Sequence, residues 1–170
     1  MLLTLQQHPI TSMPQINVQV AIIFQKSYIE FIYKVHGDIT PLEIPKPNNI
    51  KRTDNLWKHT CAEAFVTKDE AGNGYWEWNF SPSGQWQMYE FDDYRKHRTK
   101  PRITKIPEIS QTRHFDTLFL RVCIPRLSKI ISRLGLNMIL EDKDQQLSYW
   151  ALKHAAGPPD FHNADTWFVM

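Results

Sequence analysis

Between Tyr75 and Phe91 the sequence alternates twice around a four-residue turn signal. In Tyr75–Phe80, Trp76, Trp78 and Phe80 fall on one side of an extended chain, and Tyr75, Glu77 and Asn79 on the other. Ser81, Pro82, Ser83 and Gly84 then supply the residues of a type I turn, with Ser first, Pro second and Gly fourth. Trp86–Phe91 resumes the extended pattern, and residues 75–95 together hold eight aromatic side chains. A hairpin with one heavy aromatic face has to bury that face against a second layer. Its polar face is left to meet solvent or a ligand.

The rest of the chain repeats the two-residue period. Ile16, Val18, Val20, Ile22 and Phe24 alternate with smaller or polar neighbours, and Ile29, Phe31, Tyr33 and Val35 do the same after a turn at Gln25, Lys26 and Ser27. Further extended runs are read at residues 2–5, 56–67, 117–124, 136–140, 147–153 and 166–170, with an edge strand at 103–109 interrupted by Pro107. Residues 36–55, with Pro41, Pro45, Pro47, Asn48 and Asn49, read as a long surface loop, either a crossover between sheets or a binding loop. One segment departs from the pattern. Leu127, Ile130, Ile131 and Leu134 have helical spacing, which predicts one short amphipathic helix near 126–134 with Gly135 as its stop. About ten short strands and one helix predict an all-β fold: an antiparallel β-sandwich, immunoglobulin-like or jelly-roll-like, forming a single domain over residues 1–170.

Composition narrows the function classes. A net charge of +2 is too mild to argue for nucleic acid. No run approaches the roughly 18 apolar residues of a membrane span. The first fourteen residues lack the basic start and apolar stretch of an export signal, so the expected location is cytoplasmic. Cys61 and Cys123 sit in apolar or alternating runs and read as small buried hydrophobes. The basic cluster at residues 92–105 reads as a solvated loop, or as an anion contact.

No phosphate loop or nucleophile elbow is present. Aromatic rings close to Glu, Asn, Arg and His suit carbohydrate, because a sugar ring stacks on an aromatic face while polar groups take its hydroxyls. The candidate ligand-binding residues are Trp150 as stacking platform, Glu63, Glu77 and Asn79 as hydroxyl partners, and Arg95 and His154 as orienting groups. Trp76 and Trp78 are assigned to the core, and residues 160–162 to a turn lock in which Phe161 is the anchor and Asp160 caps backbone groups. If Glu63 and Glu77 share a face, the pair could instead serve an enzyme or enzyme accessory acting on a sugar or nucleotide sugar. A haem-binding redox module would need axial ligands such as Met88 with His154 or His162.

Three segments carry a family resemblance. LWKHTCAEAFV at 56–66, YWEWNFSPSGQW at 75–86 and SYWALKHAAGPPDFH at 148–162 together resemble the DOMON-like domains related to family-nine carbohydrate-binding modules. Glu63, Glu77, the turn at 82–84 and residues 159–162 match that pattern, and Trp78 stands where the family often has Phe. The resemblance covers residues 56–170. It implies a β-sandwich that binds a ligand, a sugar or haem, without catalysis. Lys58, His59 and Thr60 replace the acidic residues often found before the matched Glu63, so no calcium site is expected. The expected partner is therefore a small saccharide or sugar-containing ligand, with neither nucleic acid nor membrane.

Overall fold

In the computed structural model, which describes residues 1–11 and 15–170, the period-two runs become eleven strands. Residues 12–14 of the N-terminal stretch read above for an export signal lie outside the described residues. The strands are β1 (Leu2–Gln7), β2 (Ile16–Phe24), β3 (Tyr28–Gly37), β4 (Cys61–Thr67), β5 (Tyr75–Phe80), β6 (Trp86–Phe91), β7 (Glu108–His114), β8 (Thr117–Pro125), β9 (Arg133–Glu141), β10 (Leu147–Ala151) and β11 (Phe168–Val169). All ladders are antiparallel, and the strand order is β6-β5-β4-β9-β10-β1-β2-β3-β8-β7, with β11 on β9. β1 belongs to both layers. Its residues 2–5 pair with β2, and Gln6 and Gln7 pair with β10.

The main core lies between the two layers. β2, β3 and β8 contribute Val18, Val20, Phe31, Tyr33, Leu120 and Val122, while β4, β5, β9 and β10 answer with Ala64, Trp78, Phe80, Leu136, Met138 and Trp150. Fully burying one such side chain stabilises the fold by about 1.5–3 kcal/mol. The alternation explains why these residues and not their neighbours are inside: each strand presents every second side chain to the core. Tyr33 crosses that core, and its hydroxyl donates to the backbone carbonyl of Glu63, 2.7 Å away.

The hairpin of β5 and β6 forms around the expected turn and pairs Phe80 with Trp86 and Trp78 with Met88. Its turn closes with Gly84 N–H on the Ser81 carbonyl at 3.0 Å, and Gly84 at φ 91 occupies a backbone region that disfavours a side chain. The long loop after β3 is a crossover between the layers that also straps this hairpin. Asn48 N–H donates to the Ser83 carbonyl, Thr53 N–H to the Trp86 carbonyl, and Trp86 N–H to the Lys51 carbonyl. At the far end of β6, Glu90 and Thr99 exchange backbone hydrogen bonds. The outer edge of β6 is thus covered.

Three expectations are corrected. No helix forms at 126–134, where Leu127 and Ile130 are exposed. The Arg126 guanidinium donates to the carbonyls of Gln25, Ser128 and Lys129, and holds the segment as an irregular link. A run this short cannot sustain a helix alone, and only half of its apolar stripe is covered: Ile131 and Leu134 join the main core while Leu127 and Ile130 stay exposed. Instead Thr67 Oγ1 accepts from the N–H groups of Ser132 and Arg133 and starts β9 there, with Gly135 inside the strand. The run at 56–67 begins as a 3₁₀ turn, Leu56–Lys58, and becomes strand only at Cys61. The edge strand read at 103–109 lies further on, at Glu108–His114, beyond Pro107. Among the described residues the helical elements are two 3₁₀ turns, and no helix is long and apolar enough to cross a membrane.

Candidate ligand-binding cleft

The face of β6-β5-β4-β9-β10 that turns away from the main core carries the other half of each alternation. Gln87, Asn79, Glu63 and Asn137 stand opposite one another in turn across four strands, forming a polar row. The adjoining row is Tyr89, Glu77, Phe65 and Gly135. Glu63 and Glu77 are therefore diagonal neighbours on one face, within reach of each other's field.

The C-terminal segment folds back over this face and makes a second, smaller core of Phe65, Tyr75, Phe91, Phe161 and Trp167. Gly135 admits it: a Cβ there would lie 2.7 Å from Trp167 Nε1. Trp167 Nε1 donates to the Phe161 carbonyl at 2.8 Å and so fixes the turn bearing Phe161 and His162. Asp160 completes the turn. Its carboxylate accepts from His162 N–H at 3.2 Å, from Arg95 Nη2 at 2.9 Å and from the Tyr94 hydroxyl at 2.7 Å. The turn lock expected at 160–162 is therefore present, and it also delivers His162 to the site.

Between this turn and the sheet lies a cleft of about 590 Å³, inside the usual range for small-molecule sites. Its walls are aromatic: the half-buried Trp57 from the 3₁₀ turn before β4 and Tyr149 from β10, and the buried Phe161. Each is braced edge-on, Trp57 by Tyr89 and Tyr149 by Phe161, with ring centroids 6.0 and 6.1 Å apart. Glu63 and Glu77 form the floor, and Lys58, Arg95 and Arg98 stand at the exposed rim.

Burial controls the charge of the floor. It pushes the Glu63 carboxyl well above the usual carboxylate range, and repulsion from Glu77 adds to the rise. Burial also raises Glu77, to about 7; the hydrogen bond from Asn79 Nδ2 at 2.7 Å and the charges of Arg98 and Arg95 limit that shift. Glu63 is thus biased toward its protonated form, and Glu77 is partly ionised near neutrality. His162 moves the other way. Burial and the nearby Arg95 charge lower it to about 4, so it stays neutral. The Tyr75 hydroxyl accepts from Arg95 N–H at 3.2 Å and lies 2.7 Å from His162 Nδ1. A Tyr75 hydroxyl that donates to Nδ1 leaves the His162 proton on Nε2, which faces Glu77 Oε2 at 3.6 Å. Glu63 in the floor and its strand neighbour Asn137 lack partners. The Glu63 carboxyl receives no hydrogen bond among the described residues, and Asn137 Nδ2, opposite Glu63 on β9, is buried without an acceptor.

The residues expected at the site divide accordingly. Glu63, Glu77 and Arg95 line the cleft, and Asn79 supports it by holding Glu77. Trp150 does not reach it. The alternation of β10 sends Tyr149 to the cleft and Trp150 into the main core, where its Nε1 donates to Ser148 Oγ at 3.0 Å and 4% of the residue is exposed. His154 also lies elsewhere: its Nε2 donates to the Gln6 carbonyl at 2.8 Å and ties the end of β10 to β1. Met88 points into the main core, on the opposite side of the sheet from His162, so those two cannot be ligands of one iron. Not singled out from the sequence were Lys58, Asn137 and Tyr149, while Arg98 belongs to the basic cluster at 92–105 read as a solvated loop or an anion contact. The one signal for Asn137 is a polar residue inside the apolar run LGLNMIL.

A two-layer antiparallel β-fold with a ligand-sized cleft on the outer face of one sheet defines the class: a β-module with a built pocket. No protein-family profile and no curated protein matches the sequence. Solved structures do match. A candidate carbohydrate-binding protein from Bacteroides uniformis superposes with a TM-score of 0.65 at 14% identity, covering 98% of this chain and 84% of that one. A family-nine carbohydrate-binding module from Caldicellulosiruptor kristjanssonii, in complexes with glucose and with cellotriose, gives a TM-score of 0.52 at 10% identity, over 86% of this chain and 72% or 70% of the module. The fold is thus similar to that of family-nine carbohydrate-binding modules.

Proposed function

We propose that this protein is a non-catalytic saccharide-binding module whose ligand occupies the cleft bounded by Trp57, Tyr149 and Phe161. The observation that carries the reading is the floor. The buried Glu63 carboxyl lines an aromatic-walled pocket, and its cross-strand neighbour Asn137 keeps a buried Nδ2 without a hydrogen-bond partner. An orphaned buried polar group costs about 1–3 kcal/mol, a cost relieved when a ligand hydroxyl bonds to it. In this reading Trp57 and Tyr149 flank the sugar ring, the Glu63 acid donates, Glu77 accepts, and Arg95 and His162 fix orientation. The likeness in fold to glucose- and cellotriose-bound modules supports it. Calorimetric titration with glucose, cello-oligosaccharides and uronic acids tests it. Saturable binding lost in Glu63→Ala is expected; a flat titration with every sugar would refute it.

One observation favours a second reading. Glu63 and Glu77 share the cleft, and burial pushes Glu63 well above the usual carboxylate range while Glu77 rises to about 7, an unequal pair of the kind glycoside cleavage uses. Hydrolysis of aryl glycosides that disappears in Glu77→Gln would establish it, and no turnover across a panel of such glycosides would remove it.

A further inference from the structure

Around the cleft most cations are already paired. Arg95 bonds to Asp160, Lys100 to Asp54, Lys96 to Asp93, and Lys68 to Glu90 and Asp92. Lys58 and Arg98 differ. Both line the cleft, both are exposed, and among the described residues neither side chain forms an ion pair or a hydrogen bond. Arg98 sits over Tyr89, its guanidinium carbon 5.0 Å from the ring centroid, and its N–H groups have no hydrogen-bond partner among the described residues. Next to the cleft, Asn137 Nδ2 is a buried donor without an acceptor, and burial biases the Glu63 carboxyl that lines the cleft toward its protonated form. The opposing charge is limited: Asp160 is engaged by Arg95 and Tyr94, and Glu77 is occupied by Asn79.

A neutral sugar brings hydroxyls that donate as readily as they accept, and it leaves Lys58 and Arg98 without an ion-pair partner. From these two free cations at the rim we infer that the cleft selects an anionic saccharide, one carrying a carboxylate or a phosphate that meets Lys58 and Arg98 while its ring lies between the aromatic walls. The inference rests on the saccharide reading above and specifies its ligand class. Arg98 is the better anchor, because its planar fork matches either anion and Tyr89 holds it in place.

The test is titration of the full chain with glucose, glucuronate and glucose 6-phosphate, at about 20 mM and about 0.5 M salt. At least one anionic sugar is expected to bind about tenfold more tightly than glucose at low salt, with the advantage shrinking at high salt and in Arg98→Gln. Preference for glucuronate identifies a carboxylate as the anion, and preference for glucose 6-phosphate a phosphate. Glucose binding as tightly as both anionic sugars overturns the inference and leaves the saccharide reading standing. Binding of none of the three, nor of any wider sugar set, overturns both.

Discussion

Replacing Gly135 by alanine separates two effects of opposite sign. Gly135 lies in β9 outside the left-handed region, so alanine fits its backbone. A glycine-to-alanine change at such a position normally stabilises by about 0.4–1 kcal/mol, by restricting the unfolded chain. Here the new Cβ would stand 2.7 Å from Trp167 Nε1 and 2.8 Å from Cδ1. The indole has to retreat by about 0.7 Å to reach ordinary contact, and Phe65 and Tyr75 back it, with ring centroids 5.5 and 5.3 Å away. Overpacking of this kind costs about 1–3 kcal/mol. Weakening the Trp167 to Phe161 hydrogen bond adds about 1 kcal/mol. The contact therefore wins, with a net loss of about 2 kcal/mol and a fall in Tm of about 4–8 °C for a chain of this size. Phe161 is a wall of the cleft, so the same variant is expected to bind ligand less tightly. Calorimetric melting and indole fluorescence report on the two halves. A Gly135→Ala protein as stable as the parent or more so would refute the claim that Trp167 needs a bare strand beneath it.

Further outcomes follow from the same geometry. Glu77 titrates near 7 when folded and about 4.5 when unfolded, so the native state holds the extra proton between those values. Stability is then full below the unfolded value and declines as pH rises through 7, by an amount on the order of 3 kcal/mol. Urea unfolding at pH values on either side of this window should show that slope, and Glu77→Gln should flatten it. Tyr33→Phe removes the hydroxyl that bonds the Glu63 carbonyl across the core and should cost about 1–2 kcal/mol in the same assay. Trp57→Ala, at a half-buried wall position, should weaken sugar binding about tenfold while shifting Tm little, as titration and melting of one sample would show.

The layers were legible because their code is local. Where alternation is sharp, as in Val18, Val20 and Ile22 or in Trp76, Trp78 and Phe80, it names the buried face directly. Where both faces of a strand are apolar, it does not. In β10 the string LSYWA offers Tyr149 and Trp150 on opposite faces, and only the pairing of Tyr149 with Ile139 decides which ring meets the cleft. The helix reading at 126–134 went astray for a related reason. The spacing of Leu127, Ile130, Ile131 and Leu134 is helical, but a stripe forms a helix only when something covers it, and the claim of β9 on Arg133 and Leu134 comes from distant Thr67. The acids Glu63 and Glu77 were readable as a pair pending register, which the ladder of Phe65 with Glu77 supplies. The cations were not readable as partners: Lys58 and Arg98 are forty residues apart in sequence, and only the folded chain places both along one cleft.

The covered outer edge of β6 sets a limit on how copies of this chain can add to one another. A sheet grows into a fibril by templating a new strand at each end, and here the strand path runs from β6 to β7. At β6 the backbone groups of Trp86 and Glu90 are already taken by Lys51, Thr53 and Thr99. At β7 the outer ladder is bare and the strand largely exposed. Two molecules could join through β7, and the resulting pair would present a capped β6 at both extremities. Strand-by-strand polymerisation of the native fold would therefore stop at two, and longer assembly would first require the strap at residues 48–53 to come away.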